Sequence, residues 1–381
     1  MLKLNVETVN SIADFAQYCG PWNQLWDNSN AYEPLSRSEG LQRWHQQFST
    51  EDKFSAIMVW NGAQLVGGLP LIHSQKSGVK LLRQPQNEWV NGGELMVHRD
   101  VDVQSVVAAI VQELATFPES ILCFDGVRFE SEAWTAFIEQ VEAISGQTGI
   151  LRREEVGLID VGEDWEAYFQ SLSGNHRSTV RRAEKKARKT GELSLLRLQD
   201  LNADDCVTWM NRALEIENRS WKREAGTSIL ASPGMSKFYL DEAEIAREAG
   251  MLELWFLMLD QQPIAFEYCH HAKQVCLSYK IGYDEAFKKF APGKLLRKLQ
   301  LETMSRQSPG TVLDTKGILC PTKAKWVTST YPIGRLVVAL KGHVPKLLLN
   351  AYLRAKPIVQ KLRNVDTHSP VIELGGASAL Q

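Results

Sequence analysis

The absences in this sequence narrow the field first. Only six of its 381 residues are cysteine, at 19, 123, 206, 269, 276 and 320, and no two form a Cys-x-x-Cys pair. That excludes a disulfide scaffold and a zinc ribbon as organising principles. Most of these thiols sit in apolar runs such as Ile121-Leu122-Cys123-Phe124, where cysteine acts as a small hydrophobe, and a reducing compartment is expected. No run reaches the ~18 consecutive apolar residues of a membrane-spanning helix. Met1–Gly20 has no basic stretch followed by an apolar one, so no secretory leader and a cytoplasmic location are expected. Neither charge sign dominates: 43 Lys+Arg face 45 Asp+Glu, a net charge of -2, unlike a nucleic-acid coat, and no DNA partner is expected. His270 and His271 are adjacent, hence on opposite strand faces, and no His/Cys/Asp group has ligand spacing, so no metal is expected. GxSxG and P-loop motifs are absent.

What is present fits a folded α/β protein. Hydrophobic residues make up 44% and charged residues 23% of the chain, and its length suits two domains. Helical spacing marks 35–48, 103–117 and 134–145, and strands are expected over 55–60, 63–73 and 121–124. Asn61-Gly62 reads as a hairpin turn, and Gly67-Gly68 as a bulge. Further on, 158–161 reads as a strand, while 165–171, 176–189, 203–217 and 235–249 read as helices. Three strands follow over 252–259, 263–271 and 275–283, then a loop, a helix over 294–307 and a strand over 311–315. The helix crossover predicts that the last strand lies parallel to its predecessor. Residues 341–363 carry six Lys/Arg and no acid. Pro345 and Pro357 are expected to hold any helix there to roughly three turns, giving at most a weak contact with an anionic membrane face.

Chemistry concentrates at Tyr279-Lys280-Ile281-Gly282-Tyr283-Asp284-Glu285-Ala286-Phe287-Lys288-Lys289-Phe290-Ala291-Pro292-Gly293-Lys294. A strand runs into a small-residue loop that opens a helix, whose unpaired N–H groups and dipole favour an anion such as a pyrophosphate. A plain connection with solvated lysines reads equally well from spacing alone. The helix 176–189 is broadly cationic, with Arg177, Arg181, Arg182, Lys185, Lys186, Arg188 and Lys189 against Glu184. Such a face is either solvated or holds a phosphate, an anionic glycan, a lipid headgroup or RNA.

These motifs resemble a known family. Lys288-x-x-Ala291-x-Gly293 is similar to the Arg/Gln-x-x-Gly-x-Gly/Ala acetyl-CoA loop of GNAT-fold N-acyltransferases. LDQQPIAFEY, YKIGYDEAFKKFAPGKLL, VLDTKG, NHRSTVRRAEKKARKTGEL and RSWK look closer still to the CelD/BcsL-type acetyltransferases of bacterial polysaccharide biosynthesis, over roughly 160–330. Lys288 departs from Arg/Gln, Ala291 from the first Gly, and Pro292 supplies no N–H.

The resemblance implies tandem GNAT-like folds with mixed, mostly antiparallel sheets, as in the related FemABX aminoacyltransferases. A lobe over 1–155 and a second over 156–340 carrying the acyl-CoA site are expected, then a basic helix and tail over 341–381. The implied reaction is acyl transfer, acetyl above all, from acyl-CoA to an amine, for instance on an amino sugar or polysaccharide precursor. Tyr279, Lys288, Lys289, Phe290, Ala291, Gly293 and Lys294 are then expected at the cofactor, with strand 275–283 offering a backbone N–H to the acyl carbonyl. Glu267 and Asp314 are the candidate bases and Tyr331 a candidate acid for the leaving thiolate. Each also reads as structure: a strand carboxylate, a turn cap and a packed ring. Trp221, Lys222, Tyr268, Lys325 and Trp326 are expected near the acceptor, though from the residues alone Trp221 reads first as a core aromatic, and Lys325-Trp326 also reads as a surface lysine beside a packing tryptophan. Two rivals stand beside this reading: an aminoacyltransferase using aminoacyl-tRNA, with the basic helix on RNA, and an inactive GNAT-like scaffold among polysaccharide biosynthesis proteins.

Overall fold

The computed structural model describes residues 4–49, 53–76, 78–87, 89–90 and 92–362, and the chain divides into two units, 1–154 with 332–381, and 155–331. The first unit begins with β1 (Leu4–Val9), α1 (Ile12–Phe15), α2 (Cys19–Asn28) and α3 (Ser38–Phe48). It continues with β2 (Lys53–Asn61), β3 (Gln64–Lys76), β4 (Val79–Arg83), β5 (Met96–Val97), α4 (Val103–Leu114), β6 (Ile121–Val127) and α5 (Glu132–Ala143). Strand β7 (Gln147–Ile159) leads into α6 (Trp165–Ser171), α7 (Gly174–Arg188), β8 (Leu193–Leu198), α8 (Ala203–Asn218), α9 (Trp221–Glu224) and α10 (Met235–Glu248). Then come β9 (Leu252–Leu259), β10 (Gln262–Ala272), β11 (Val275–Tyr283), α11 (Pro292–Gln307) and β12 (Val312–Asp314). Strand β13 (Ser329–Ala339) and α12 (His343–Leu362) follow.

Each unit carries the same plan. In the first, β1 to β4 run antiparallel, α4 crosses over, and β6 returns parallel to β4 through Leu82↔Leu122. In the second, β8 to β11 run antiparallel, α11 crosses over, and β12 returns parallel to β11, as the crossover rule requires. An antiparallel strand closes the parallel end of each: β13 on β6, and β7 on β12.

Packing explains local departures from the sequence expectations. The β2–β3 irregularity falls between Val59 and Trp60, opposite Gly67 and Leu65, so it precedes the glycine pair. A Cβ on Gly67 would sit 2.3 Å from Val106 Cγ1, and one on Gly68 2.9 Å from the Trp22 ring. These glycines let α4 and α2 lie against β3. The basic segment 341–363 reads in sequence either as a membrane contact or as a helix packed on the domain. Helix α12 falls with the first unit, lays Leu349 and Leu353 on Val337 and Ala339, and runs His343–Leu362 through Pro357, longer than the three turns expected. None of the six cysteines is disulfide-bonded, and no helix among the described residues is long and apolar enough to cross a membrane.

Candidate functional site

The site grows from the way β11 leaves its neighbours. It pairs with β10 along its whole length, but with β12 only from Val275 to Leu277, where Leu277 faces Asp314 and β12 stops. Ser278 to Tyr283 therefore have no strand partner on that edge among the described residues. A backbone edge with unmet N–H and C=O groups is a ready docking rail.

Beyond β11, Asp284 caps the helical turn 285–290 through Ala286 N–H and accepts from Arg219 Nε at 2.7 Å. Ala291 closes that turn and opens α11 at φ 51, ψ 56, a left-handed conformation that costs an alanine about 1 kcal/mol. The expected amide cradle is narrower than its sequence suggests. Ala291 N–H is taken by the Lys288 carbonyl, Pro292 has none, and Lys294 and Leu295 N–H turn back to the Ala291 carbonyl. Gly293 N–H has no partner among the described residues, and a Cβ there would meet nothing within 4 Å. The helix N-terminus is thus open at Gly293.

Charge surrounds that opening. Lys288 and Lys289 are exposed and Lys294 is half-buried. Lys288 pairs with Glu285 at 3.2 Å, which raises its pKa. Phe290, expected at the cofactor, is 2% exposed and packs in the core, with the Lys289 and Lys186 ammonium groups over its ring. Its apolar ring anchors the turn. Helix α7 adds a cationic hollow lined by Gly174, Arg177, Ser178, Arg181, Arg182 and Lys185.

On the face of β10 and β11 covered by α8 and α10 lies a buried polar cluster. Tyr268 Oη is 2.6 Å from His270 Nε2, and the His270 and Tyr279 rings are 4.2 Å apart. Burial pushes His270 down to about 3, so it is neutral, and pushes the Tyr239 and Tyr268 phenols well up, so they stay protonated. Neutral His270 and the Tyr268 hydroxyl share one hydrogen bond. Tyr279 Oη is buried without a hydrogen-bond partner among the described residues. Lys280 lies over the Tyr239 ring and is pushed down to about 8 by burial, with Lys222 adding repulsion. Lys316, in the left-handed region at φ 42, holds its Nζ 5.1 Å from the Tyr279 ring centroid. Burial pushes it down to about 7.

The structure separates the two base candidates. Asp314 and Tyr331 come together: Asp314 Oδ2 accepts from Tyr331 Oη at 2.7 Å, and Oδ1 from Lys316 N–H at 2.8 Å. Asp314 therefore fixes the turn that presents Lys316, the capping role its sequence also allowed. Glu267 lies on the opposite face of β10 from the polar cluster. It is 0% exposed and accepts from Arg297 Nη2 of α11 at 2.8 Å. An ion pair sealed under a helix suits charge balance in the core.

The acceptor candidates also divide. Tyr268 sits in the cluster. Lys222 is half-buried and donates to Glu217 Oε1 at 2.9 Å, and Trp221 is 43% exposed. Trp326 is a core residue: it is 3% exposed, meets His176 edge-on at 4.5 Å, and its carbonyl accepts from Tyr168 Oη. Lys325 beside it is exposed. Sequence reading missed Lys316, Lys280, Tyr239 and His270 as members of the cluster, and Glu242, whose Oε1 lies 3.8 Å from His270 Nε2. The signal for Lys316 was its place in Asp314-Thr315-Lys316-Gly317. Among the described residues, no group of three or more His, Cys, Asp or Glu is placed to hold a metal ion.

Comparison with known proteins agrees with this geometry. Residues 174–315 match the family model described as acetyltransferase (GNAT) domain. No curated protein matches in sequence. Two solved structures share the fold at low identity. FemX is 10% identical with a TM-score of 0.58, over 88% of this chain and 97% of that one. The C-terminal domain of a putative lysylphosphatidylglycerol synthetase from Agrobacterium fabrum is 11% identical with a TM-score of 0.51, over 89% of this chain and 96% of that one. The chain is thus a mixed α/β protein with mostly antiparallel sheets and a GNAT-like fold, to whose acetyltransferase model residues 174–315 are similar in sequence.

Proposed function

We propose that the second unit is an N-acyltransferase that moves an acyl group, acetyl above all, from acyl-CoA to a primary amine. The observation that carries this reading is the parting of β11 from β12 beside the open N-terminus of α11. The donor fits the residues present. Gly293 offers an unpartnered N–H in open space, and the Tyr279 hydroxyl is a buried polar atom awaiting a partner. Gly293 N–H, Lys289 and Lys294 would hold the diphosphate, and the unpaired edge of Ser278–Tyr283 would offer a backbone N–H to the acyl carbonyl. When bound, a thioester supplies an activated acyl carbon.

The chain's own task is then to manage protons. An acceptor amine must be neutral to attack. Lys316, held down to about 7, has a large neutral fraction near neutrality and can take that proton at Nζ. Asp314 positions Lys316, and Tyr331 positions Asp314. The resemblance to CelD/BcsL-type enzymes supports an amino sugar or polysaccharide precursor as acceptor, with polysaccharide biosynthesis proteins as neighbours and a cytoplasmic location.

The test is calorimetric titration of the purified protein with acetyl-CoA, followed by thiol release with amino-sugar acceptors. Gly293→Trp fills open space and should abolish binding while leaving the melting temperature unchanged. Absence of binding by the wild-type protein at millimolar acetyl-CoA would sink the donor assignment. The cationic hollow on α7 favours a second reading, aminoacyl-tRNA as donor. Retardation of charged tRNA without affinity for CoA would select it. Affinity for neither donor would select the inactive scaffold.

A further inference from the structure

The second amphipathic face of α12 has no role in acyl transfer, and it carries the inference. The helix is apolar on two opposite sides. Its inner side is committed to the first unit: Leu349 is 3% exposed and packs with Leu353 on Val337, Ala339, Ile121 and Leu151. Gly149 makes room for Leu353, since a Cβ there would sit 2.8 Å from both its methyl carbons.

The outer side is equally apolar and uncovered. Val344 is 67% exposed, Leu347 67%, Leu348 45% and Tyr352 41%. Ala351 and Ala355 are exposed as well. At 100° per residue these six positions fall within one stripe, on the side of the helix away from Leu349 and Leu353. In sequence, Ile358, Val359 and Leu362 continue the same spacing. Large apolar side chains this exposed and this contiguous mark a contact surface.

Charge decides what covers it. Residues 341–363 carry Lys341, Lys346, Arg354, Lys356, Lys361 and Arg363 and no Asp or Glu, in a chain whose net charge is -2. Two copies of this helix face to face would bring bases of one sign together, with no acid on either helix to offset them. A surface that is apolar beneath and anionic above satisfies both features at once. We propose that α12 docks the protein flat onto an anionic phospholipid surface, with the Val344–Leu347–Leu348–Ala351–Tyr352–Ala355 stripe entering the acyl boundary and the exposed Arg354 meeting the headgroups, while Lys341 and Lys346 hold the helix to the carbonyls of Ala115, Phe117 and Ser145. This proposal is independent of the acyl donor and of the acceptor.

Sedimentation of the full-length protein with vesicles tests it. Phosphatidylcholine vesicles containing phosphatidylglycerol should pellet the wild-type protein, phosphatidylcholine alone should not, and about 0.5 M salt should weaken the partition. Leu347→Glu with Leu348→Glu alters only exposed positions, so the melting temperature should hold while partition falls at least ~tenfold. Arg354→Gln with Lys361→Gln should narrow the gap between the two lipids. Failure of the wild-type protein to pellet with anionic vesicles, or equal pelleting of the folded Leu347/Leu348 variant, would overturn the proposal. So would a dimer in analytical ultracentrifugation that the same variant dissociates, which would assign the stripe to a second copy of the chain.

Discussion

Lys316 Nζ stands 5.1 Å from the centre of the Tyr279 ring, on the residue that follows the parting of β11 and β12 by two positions. Its ammonium is pushed down to about 7, against an ordinary 10.5. The unfolded chain therefore binds this proton more tightly between about 7 and 10.5, and the lysine's contribution to stability rises with pH across that window. Two outcomes follow from one variant. Lys316→Met should raise the melting temperature near pH 8, because a buried charge penalty is removed. It should also lower kcat by about 100-fold or more and erase the rise of wild-type kcat with pH centred near 7. A variant that keeps its turnover and its pH profile would remove Lys316 from the chemistry.

Glu267 and Arg297 make the opposite case, a charged pair whose value is structural. Both are buried, and Arg297 also donates to Gln300. Glu267→Gln leaves the guanidinium without its counter-charge and should cost about 3 kcal/mol of stability. Chemical denaturation should show this as a lower midpoint with an unchanged slope. The kcat of the folded variant should stay within about twofold of the wild type, and a larger fall would return Glu267 to the list of bases.

Tyr331 acts one step further back. Its hydroxyl donates to the carboxylate that holds the Lys316 amide. Tyr331→Phe removes a hydrogen bond to a charged group, worth about 1.5–3 kcal/mol. If the tyrosine positions Lys316, the pH midpoint of kcat should move while the KM for acyl donor stays put. A fall in kcat at an unmoved midpoint would instead support the acid role first read from the sequence.

Much of the fold is legible in local pattern. The three strands β9 to β11 are near-continuous apolar runs, and their tight turns fall where the sequence places them, at Asp260-Gln261 and Lys273-Gln274. Both turns hold two successive residues at positive φ without a glycine, so the flanking strands, not turn chemistry, signal them. Strands β1, β7 and β13 are hidden because their partners lie far along the chain. Strand β7 contains Arg152-Arg153-Glu154-Glu155, which reads locally as a loop until pairing overrides it.

The site is less legible for two physical reasons. Which of Glu267 and Tyr268 faces the cluster depends on strand register, and β10 and β11 shift register between Tyr268 and Cys269, which composition does not reveal. The depressed pKa values of Lys280 and Lys316 come from burial by distant segments, so in sequence both look like solvated lysines. The loop 288–294 was legible as a helix start beside a glycine because that is a local feature. Its real capacity was not, because the use of Ala291 N–H by Lys288 depends on the turn that forms.

The cationic hollow on α7 separates the two donors. Arg182 and Lys185 are exposed there, while Arg177 is held by the backbone carbonyls of Gln170 and Leu172, and Arg181 lies over Phe169 at 5.3 Å. Arg182 and Lys185 are therefore the members to reverse without disturbing the helix. An RNA donor gains affinity by releasing counterions from several phosphates, so Arg182→Glu with Lys185→Glu should weaken it by about tenfold or more and flatten its salt dependence. Acyl-CoA held at Gly293 depends on α11, so its affinity should change less than about threefold through long-range charge alone. Side-by-side titrations of acetyl-CoA and charged tRNA against this variant would then assign the hollow. A large loss of CoA affinity would bring α7 into the donor site, and a loss confined to tRNA would make aminoacyl transfer the reaction to pursue.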